Sequence, residues 1–270
     1  MKILTLTLGF LVVILFFGTE AAKSYNTNSS VLVYDSLHVG LFDEYHQEGR
    51  RKNILLVPHS AKPDDLTLIV WFHGLNGFSE KTFDRVFKQV QRASSEGHSV
   101  AVVIPEMPWS TNTSTPRGRQ GKVWRKENQF KKFIDEASEH VKQVLLQSHD
   151  FEVFNPDIVV IGHSAGGSAI MSASIEGSIC DPRVKKVVWS DASYGSWLFK
   201  SHKGCLGNTE ALQHIVVRKW DKPYVRAKKF LKLNRAVPGY NLRVLDRKKY
   251  THGGIGDKIM SITKLFPPTC

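Results

Sequence analysis

Short runs of apolar residues alternate with amphipathic segments along most of the chain. The runs at 68–72 and 158–161 are apolar at every position, which is typical of strands buried on both faces of a parallel sheet. The same pattern predicts strands at residues 31–34, 54–57, 66–72, 100–104, 158–161, 187–190, 214–218 and 242–245.

The segments between these strands have the periodicity of helices. In segment 81–95 the apolar residues recur at three- and four-residue intervals, and Ser79 is placed to cap the helix. Further helices are predicted at residues 127–147, 165–176, 225–233 and 255–265. Regular alternation of strands and helices predicts an α/β domain in which helices cover both faces of a mostly parallel sheet. The stretches 105–121 and 192–212 interrupt the pattern and are expected to be irregular loops at the carboxyl edge of that sheet.

The first residues of the chain have the features of an export signal. Lys2 precedes an apolar run at 3–17, and the small residues Ala21 and Ala22 follow at a suitable cleavage point. We therefore predict that residues 1–22 are a cleaved signal peptide and that 23–270 form a single domain of a secreted or periplasmic protein. The alternative is an uncleaved membrane anchor, because the apolar run approaches the length of a spanning helix.

The composition fits one substantial core and a basic surface. The chain has 270 residues, of which 41% are hydrophobic. Its formal net charge is +12, and residues 1–22 hold one lysine and one glutamate, so their removal leaves +12. We expect electrostatic association with anionic polymers or surfaces. We further expect a monomer that acts on a small-molecule or polymer substrate, anionic ones included, and that recognises no specific nucleic acid.

The chain has three cysteines, Cys180, Cys205 and Cys270. Two of them can pair in an oxidising compartment, and Cys180 and Cys205 are the better pair because they belong to one predicted excursion of the chain. Cys270 then remains an unpaired thiol. The alternative is that all three cysteines are unpaired. The sequence has no CxxC motif and no His/Cys cluster, so we predict neither a metal nor another cofactor.

The segment Gly162-His163-Ser164-Ala165-Gly166 matches the pattern G-x-S-x-G. It directly follows the predicted strand 158–161 and directly precedes a predicted helix. In that setting the turn is tight enough to need its glycines, and it projects Ser164 as an exposed nucleophile. The backbone N–H of Ala165 at the helix start then points toward developing negative charge. The alternative is a glycine-rich turn without chemistry.

Two further turns at the carboxyl ends of strands complete the candidate site. The glycine-bearing turn 73–77 follows the third strand, where a second oxyanion donor is expected, and we assign that role to the N–H of Leu75. The turn 250–254 follows the last strand, and its glycines free His252 to act as the base. His73 and His163 are interpreted as structural residues.

The third member of the triad has three candidates. Asp191 ends the strand 187–190, Asp221 follows the next strand, and Asp246 lies on the segment that leads to His252. Each could accept the Nδ1 proton of the histidine and hold its tautomer. Asp191 is favoured because an isolated acid there has little other purpose, whereas Asp221 lies between lysines and is explained as a surface charge.

With these motifs the chain resembles the α/β-hydrolase superfamily over roughly residues 31–266. The resemblance rests on the turn His73-Gly74, the Ser164 elbow and the order Ser, Asp, His along the chain. It implies an eight-stranded sheet whose second strand is antiparallel. In most members the acid follows the seventh strand, which would select Asp221, but in some lipase-like members it follows the sixth, which would select Asp191.

Basic and aromatic residues cluster in two places. One cluster comprises Trp109, Arg117, Arg119, Lys122, Trp124, Arg125 and Lys126, and the other comprises Arg218, Lys219, Lys222, Arg226, Lys228, Lys229 and Lys232. They are interpreted either as a rim that gathers an anionic or sugar-containing substrate, or as a solvated helix face and a loop.

The sequence thus predicts a secreted serine hydrolase that cleaves a carboxylic ester through an acyl-enzyme. Its catalytic residues are Ser164, Asp191 and His252, with Leu75 and Ala165 in the oxyanion hole. One alternative is an amidase or peptidase with the same residues, acting on a cell-wall or surface polymer. Another is a non-catalytic binding protein on a hydrolase scaffold.

Overall fold

The computed structural model describes residues 29–35, 52–74, 80–105, 121–234 and 239–265. The predicted signal peptide, the cap at Ser79, Leu75, Cys270 and the central part of the first predicted loop lie outside these residues. No helix within the described ranges is both long enough and apolar enough to cross a membrane.

The described residues include eight strands, which form one sheet. They are β1 (Ser29–Asp35), β2 (Lys52–Pro58), β3 (Thr67–Phe72), β4 (Val100–Pro105), β5 (Asp157–His163), β6 (Val184–Ser190), β7 (Leu212–Arg218) and β8 (Tyr240–Leu245). Their spatial order is β1-β2-β4-β3-β5-β6-β7-β8. Strand β2 is antiparallel to β1 and β4, and the other neighbouring pairs are parallel. The predicted fold class is confirmed, with a strand at each predicted position and an antiparallel second strand.

In the described ranges, five helices lie between strands β3 and β8 along the chain, and two follow β8. They are α1 (Glu80–Ser95), α2 (Gln129–Leu145), α3 (Gly167–Glu176), α4 (Trp197–Ser201), α5 (Lys222–Leu233), α6 (His252–Gly256) and α7 (Ile259–Ile262). The helix predicted at 165–176 starts as a 3-10 turn, Ser164–Gly166, because the elbow is too tight for α-helical geometry. The helix predicted at 255–265 is divided into α6 and α7. The stretch 192–212, predicted to be irregular, contains α4 and a π-helical turn, His202–Leu206.

The two faces of the sheet bury separate apolar clusters. Along β3, Leu68, Val70 and Phe72 face a cluster that includes the apolar stripes of α2 and α3. Ile69 and Trp71 face the opposite way, against α1, α6 and α7. Each of these side chains is almost fully buried, and full burial of a large apolar side chain contributes about 1.5–3 kcal/mol. The continuous apolar run of β3 therefore follows from its position between two helical layers.

A disulfide bond ties the excursion after β6 to helix α3. Cys180 ends the short turn after α3, Cys205 lies in the π-helical turn after α4, and their Cα atoms are 6.1 Å apart. Beside the disulfide bond, the hydroxyl of Ser174 on α3 donates a hydrogen bond of 2.6 Å to the carbonyl of Ser201. The predicted pairing of Cys180 with Cys205 is thus confirmed, and the excursion packs as an ordered part of the domain.

Candidate active site

The turn that carries Ser164 is a strained connection between β5 and α3. Ser164 has a φ of +53°, a left-handed conformation that is uncommon for a residue with a side chain and that often marks functional sites. A Cβ atom at Gly166 would lie 2.3 Å from the carbonyl oxygen of Phe72, and one at Gly162 would lie 2.6 Å from Cδ1 of Ile170. Gly166 is therefore required by close packing against backbone, and a Cβ at Gly162 would also lie only 3.1 Å from the carbonyl oxygen of Gly166.

Asp191 and His252 meet at the same edge of the sheet. Asp191 directly follows β6 and is 1% exposed, and its Oδ2 lies 2.6 Å from Nδ1 of His252. His252 is the first residue of α6, whose start is capped by Thr251, with Oγ1 accepting a hydrogen bond from the N–H of Gly254. An acceptor at Nδ1 places the proton there and leaves Nε2 unprotonated, as a general base requires.

The other two candidate acids have different partners. Asp221 is ion-paired with the guanidinium of Arg218, and Oδ1 of Asp246 accepts a hydrogen bond of 2.9 Å from the N–H of Lys248. Of the three acids considered, the structure brings Asp191 to His252. The prediction that Asp221 is merely a solvated charge between lysines missed its pairing with Arg218.

His163 connects the elbow to the histidine of the α6 turn. Its ring centroid lies 4.9 Å from that of His252, and its Nδ1 is 3.1 Å from the hydroxyl of Ser190. The pKa of His163 is lowered to about 3, chiefly by burial and then by the charge of His252, while Asp191 and Ser190 act in the opposite direction. His163 is therefore neutral at ordinary pH. Because it directly precedes Ser164, its contact also places His252 beside the elbow.

The turn after β3 reaches the nucleophile from the other side. A Cβ atom at Gly74 would lie 3.5 Å from Cβ of Ser164, so this turn passes directly beside the elbow. His73 is fully buried, and its Nδ1 donates a hydrogen bond of 2.8 Å to the carbonyl of Gly74, in keeping with the structural role assigned to it. Ala165, the predicted oxyanion donor, is buried immediately after Ser164, whereas Leu75 lies outside the described residues.

Helix α1 holds the turn that carries His252, a contribution that sequence reasoning missed. The side-chain amide of Gln89 donates a hydrogen bond of 2.9 Å to the carbonyl of Gly256 and accepts one of 3.1 Å from the N–H of Met260. Nearby, Nε of Arg85 is 2.6 Å from Oδ1 of Asp257. A buried glutamine beside the apolar stripe of α1 was the available signal, because buried amides are nearly always hydrogen-bonded.

The described residues contain no group of three or more His, Cys, Asp or Glu side chains suited to holding a metal ion. The assembled groups are instead a hydroxyl, an imidazole and a carboxylate at one sheet edge. Such a set is chemically suited to nucleophilic attack with general-base assistance.

Comparison with solved structures finds similarity over most of the chain. An IroE-like serine hydrolase from Shewanella oneidensis is 14% identical, with a TM-score of 0.50, covering 85% of this chain and 76% of that one. A hyperthermophilic esterase from the archaeon Pyrobaculum calidifontis is 12% identical, with a TM-score of 0.50 and coverage of 87% and 86%. An uncharacterised protein from Capnocytophaga ochracea is 12% identical, with a TM-score of 0.53 and coverage of 89% and 65%.

No protein-family model and no curated protein sequence matches the chain. At such low identities the structural similarities show the fold alone. Together with the strand order, they identify it as the α/β-hydrolase fold.

Proposed function

We propose that the chain is a secreted serine hydrolase that cleaves a carboxylic ester by way of an acyl-enzyme. The observation that carries the proposal is the contact of 2.6 Å between Asp191 and Nδ1 of His252, at the sheet edge where Ser164 occupies a strained turn. A strained serine alone marks a tight turn. A buried carboxylate that orients a histidine beside it is the arrangement that activates a hydroxyl.

In the proposed reaction, Nε2 of His252 removes the proton of Ser164 as its oxygen attacks the ester carbonyl. The resulting imidazolium is stabilised by Asp191, and the oxyanion accepts hydrogen bonds from the N–H groups of Ala165 and Leu75. The imidazolium then protonates the departing alcohol. Water, activated by the same histidine, releases the acid and restores Ser164.

Export is part of the proposal. The apolar run at residues 3–17 and the Cys180–Cys205 bond support it, because disulfides persist mainly in oxidising compartments. Two of the structurally similar proteins are a serine hydrolase and an esterase, which favours the same chemistry here.

The decisive experiment is labelling with a fluorophosphonate followed by peptide mapping. The reagent modifies serines that an adjacent base has activated, so we expect one adduct, on Ser164, that is lost in Ser164→Ala and strongly reduced in His252→Gln. A protein that is folded but unlabelled would support the binding-protein alternative. The labelled enzyme is then compared on matched esters and amides that share one acyl group, and faster turnover of the amides would replace the esterase assignment with an amidase.

A further inference from the structure

Helix α5 presents a face of cations to solvent. The basic helix face is defined here as six exposed residues of α5: Lys222, Val225, Arg226, Lys229, Lys232 and Leu233. The sequence of α5, KPYVRAKKFLKL, contains no acidic residue. Within the described ranges, no salt bridge to any of these four cations is observed.

The other long helices each pair a surface cation with a nearby acid. Arg92 on α1 is 2.8 Å from Glu96, and Lys131 on α2 is 2.6 Å from Asp135, both at a spacing of four residues. The same spacing in α5 joins like charges, Lys222 with Arg226 and Lys228 with Lys232. Like charges at this spacing destabilise a helix, and α5 contains no acidic residue that could offset this cost with an opposite-charge pair, as the pairs beside α1 and on α2 do. A polyanionic partner would remove the cost.

Large apolar side chains are interleaved with these cations. Val225 is 57% exposed, Leu233 is 65% exposed, and Trp220 in the preceding turn is 68% exposed. Trp220 has a φ of +71°, and its ring lies 5.1 Å from Nζ of Lys219. Exposed aliphatic and indole groups among lysines gain free energy at a boundary that offers apolar material beneath negative charge.

A groove beside this face combines the same two properties. It encloses about 550 Å³ between α4 and α5 and is lined by Gly195, Ser196, Phe199, Arg226, Lys229 and Leu233. Arg226 and Lys229 are suited to a phosphate, and Phe199 and Leu233 are suited to the acyl chains attached to it. The chemistry fits the headgroup and upper acyl region of a lipid.

We propose that the basic helix face, with Trp220, binds the surface of a bilayer that contains anionic phospholipid. A lipid surface is favoured over a soluble polyanion such as a sulfated polysaccharide because it uses Val225, Leu233 and Trp220 as well as the charges. Polybasic segments gain roughly fivefold in affinity for each cation near an anionic membrane, so four cations with apolar anchors are sufficient for reversible binding.

This surface adjoins the candidate active site. Arg218, the last residue of β7, lies 3.5 Å from Asp191 through its Nε, and Lys219 and Trp220 continue directly from it. Binding through Trp220 and α5 would hold the Ser164 edge of the sheet close to the membrane. This last step rests on the proposed function, whereas the binding itself does not.

The test measures binding with Ser164→Ala, so that catalysis cannot alter the lipid. The protein is sedimented with phosphatidylcholine vesicles, with and without phosphatidylglycerol. We expect binding only when phosphatidylglycerol is present, and release at high salt. The triple variant Arg226→Gln, Lys229→Gln, Lys232→Gln should bind on the order of 100-fold more weakly. A control with the same change in net charge on α1 and α2, Lys88→Gln, Lys132→Gln, Lys142→Gln, should lose much less.

A second measurement separates insertion from simple charge attraction. Trp220→Ala should weaken vesicle binding several-fold, and the blue shift of tryptophan emission on binding should be smaller in Trp220→Phe than in the parent. Equal loss in the two triple variants would overturn the assignment to α5. Retention on immobilised heparin that depends on α5, without binding to vesicles, would overturn the lipid in favour of a soluble polyanion. The vesicle test does not depend on catalysis, so an absence of esterase activity in the parent protein would leave its result unaffected.

Discussion

Arg218 places its Nε 3.5 Å from Oδ2 of Asp191, the same carboxylate oxygen that contacts His252. The backbone N–H of Arg218 also approaches Oδ1 of Asp191, at 3.5 Å. The guanidinium is paired with Asp221 as well, so one cation bridges the two acids that sequence reasoning had to choose between. The carboxylate of Asp191 is therefore shared between a permanent positive charge and the imidazole.

This sharing predicts that Arg218→Met is less stable than the parent protein. Asp191 is 1% exposed, and the variant removes the cation that contacts its carboxylate and that of Asp221. Removing one partner of a buried ion pair leaves an uncompensated charge, so we expect the free energy of unfolding to fall by on the order of 3 kcal/mol. Urea unfolding of the two proteins at one pH measures the difference.

Arg218→Lys is the matched control for this experiment, because it retains the charge. Its free energy of unfolding should stay closer to that of the parent protein. Equal free energies of unfolding for Arg218→Met and the parent would show that the guanidinium does not stabilise the two carboxylates.

Asp191→Asn should lower kcat by about 10⁴-fold, because the amide holds the imidazole in the wrong tautomer. Asp221→Asn removes a carboxylate that contacts Arg218 and does not orient the histidine, so its kcat should change less than tenfold. Steady-state kinetics on one ester substrate gives both values, and thermal melting excludes unfolding of Asp191→Asn as the cause. The reverse ranking of the two variants would move the acid to the end of β7.

Much of this architecture could be predicted because the positions of the strands along the chain and the position of the motif are local properties of the sequence. The run of apolar residues in β3 indicates burial on both faces, and the motif around Ser164 has meaning because it joins a strand to a helix. Asp191 could be favoured for a similar reason, since it directly ends a buried strand.

The remaining features depend on contacts between residues distant in sequence. Gln89 reaches Gly256 and Met260 across more than 160 positions, and no periodicity encodes such a contact. The pairing of Arg218 with Asp221 was hidden because flanking lysines made that acid resemble a surface charge. Helix α4 was missed because five residues are too few to establish a helical period.

Removal of the disulfide should destabilise the protein without changing its chemistry. In the chain-entropy model, opening a loop of 25 residues costs about 3 kcal/mol of unfolding free energy. We therefore expect Cys180→Ala, Cys205→Ala to unfold at clearly lower urea concentration, with Cys270→Ala as the control that unfolds like the parent protein. Mass spectrometry of unreduced, alkylated protein provides an independent check, and alkylation of both Cys180 and Cys205 would contradict the bond.

His163 should make the fold sensitive to acid. Its pKa is lowered from 6.5 to about 3 in the folded protein, chiefly by burial. Between these values the unfolded chain binds a proton at this ring and the folded chain does not, so the free energy of unfolding falls as the pH falls. The side chain is only half-buried by surface area and water screens part of the effect, so we expect its share of the loss between about pH 7 and pH 5 to be about 1 kcal/mol.

The variant His163→Gln isolates this contribution, because glutamine can still bond to Ser190 but does not titrate. Urea unfolding at both pH values gives the change in unfolding free energy for each protein. All other titrating groups are common to the two proteins, and any loss of packing in the variant cancels because it is present at both pH values. The decline should therefore be about 1 kcal/mol smaller in His163→Gln than in the parent protein. Equal declines would mean that His163 is protonated in the folded protein at pH 5, and a positive charge would then lie directly against His252.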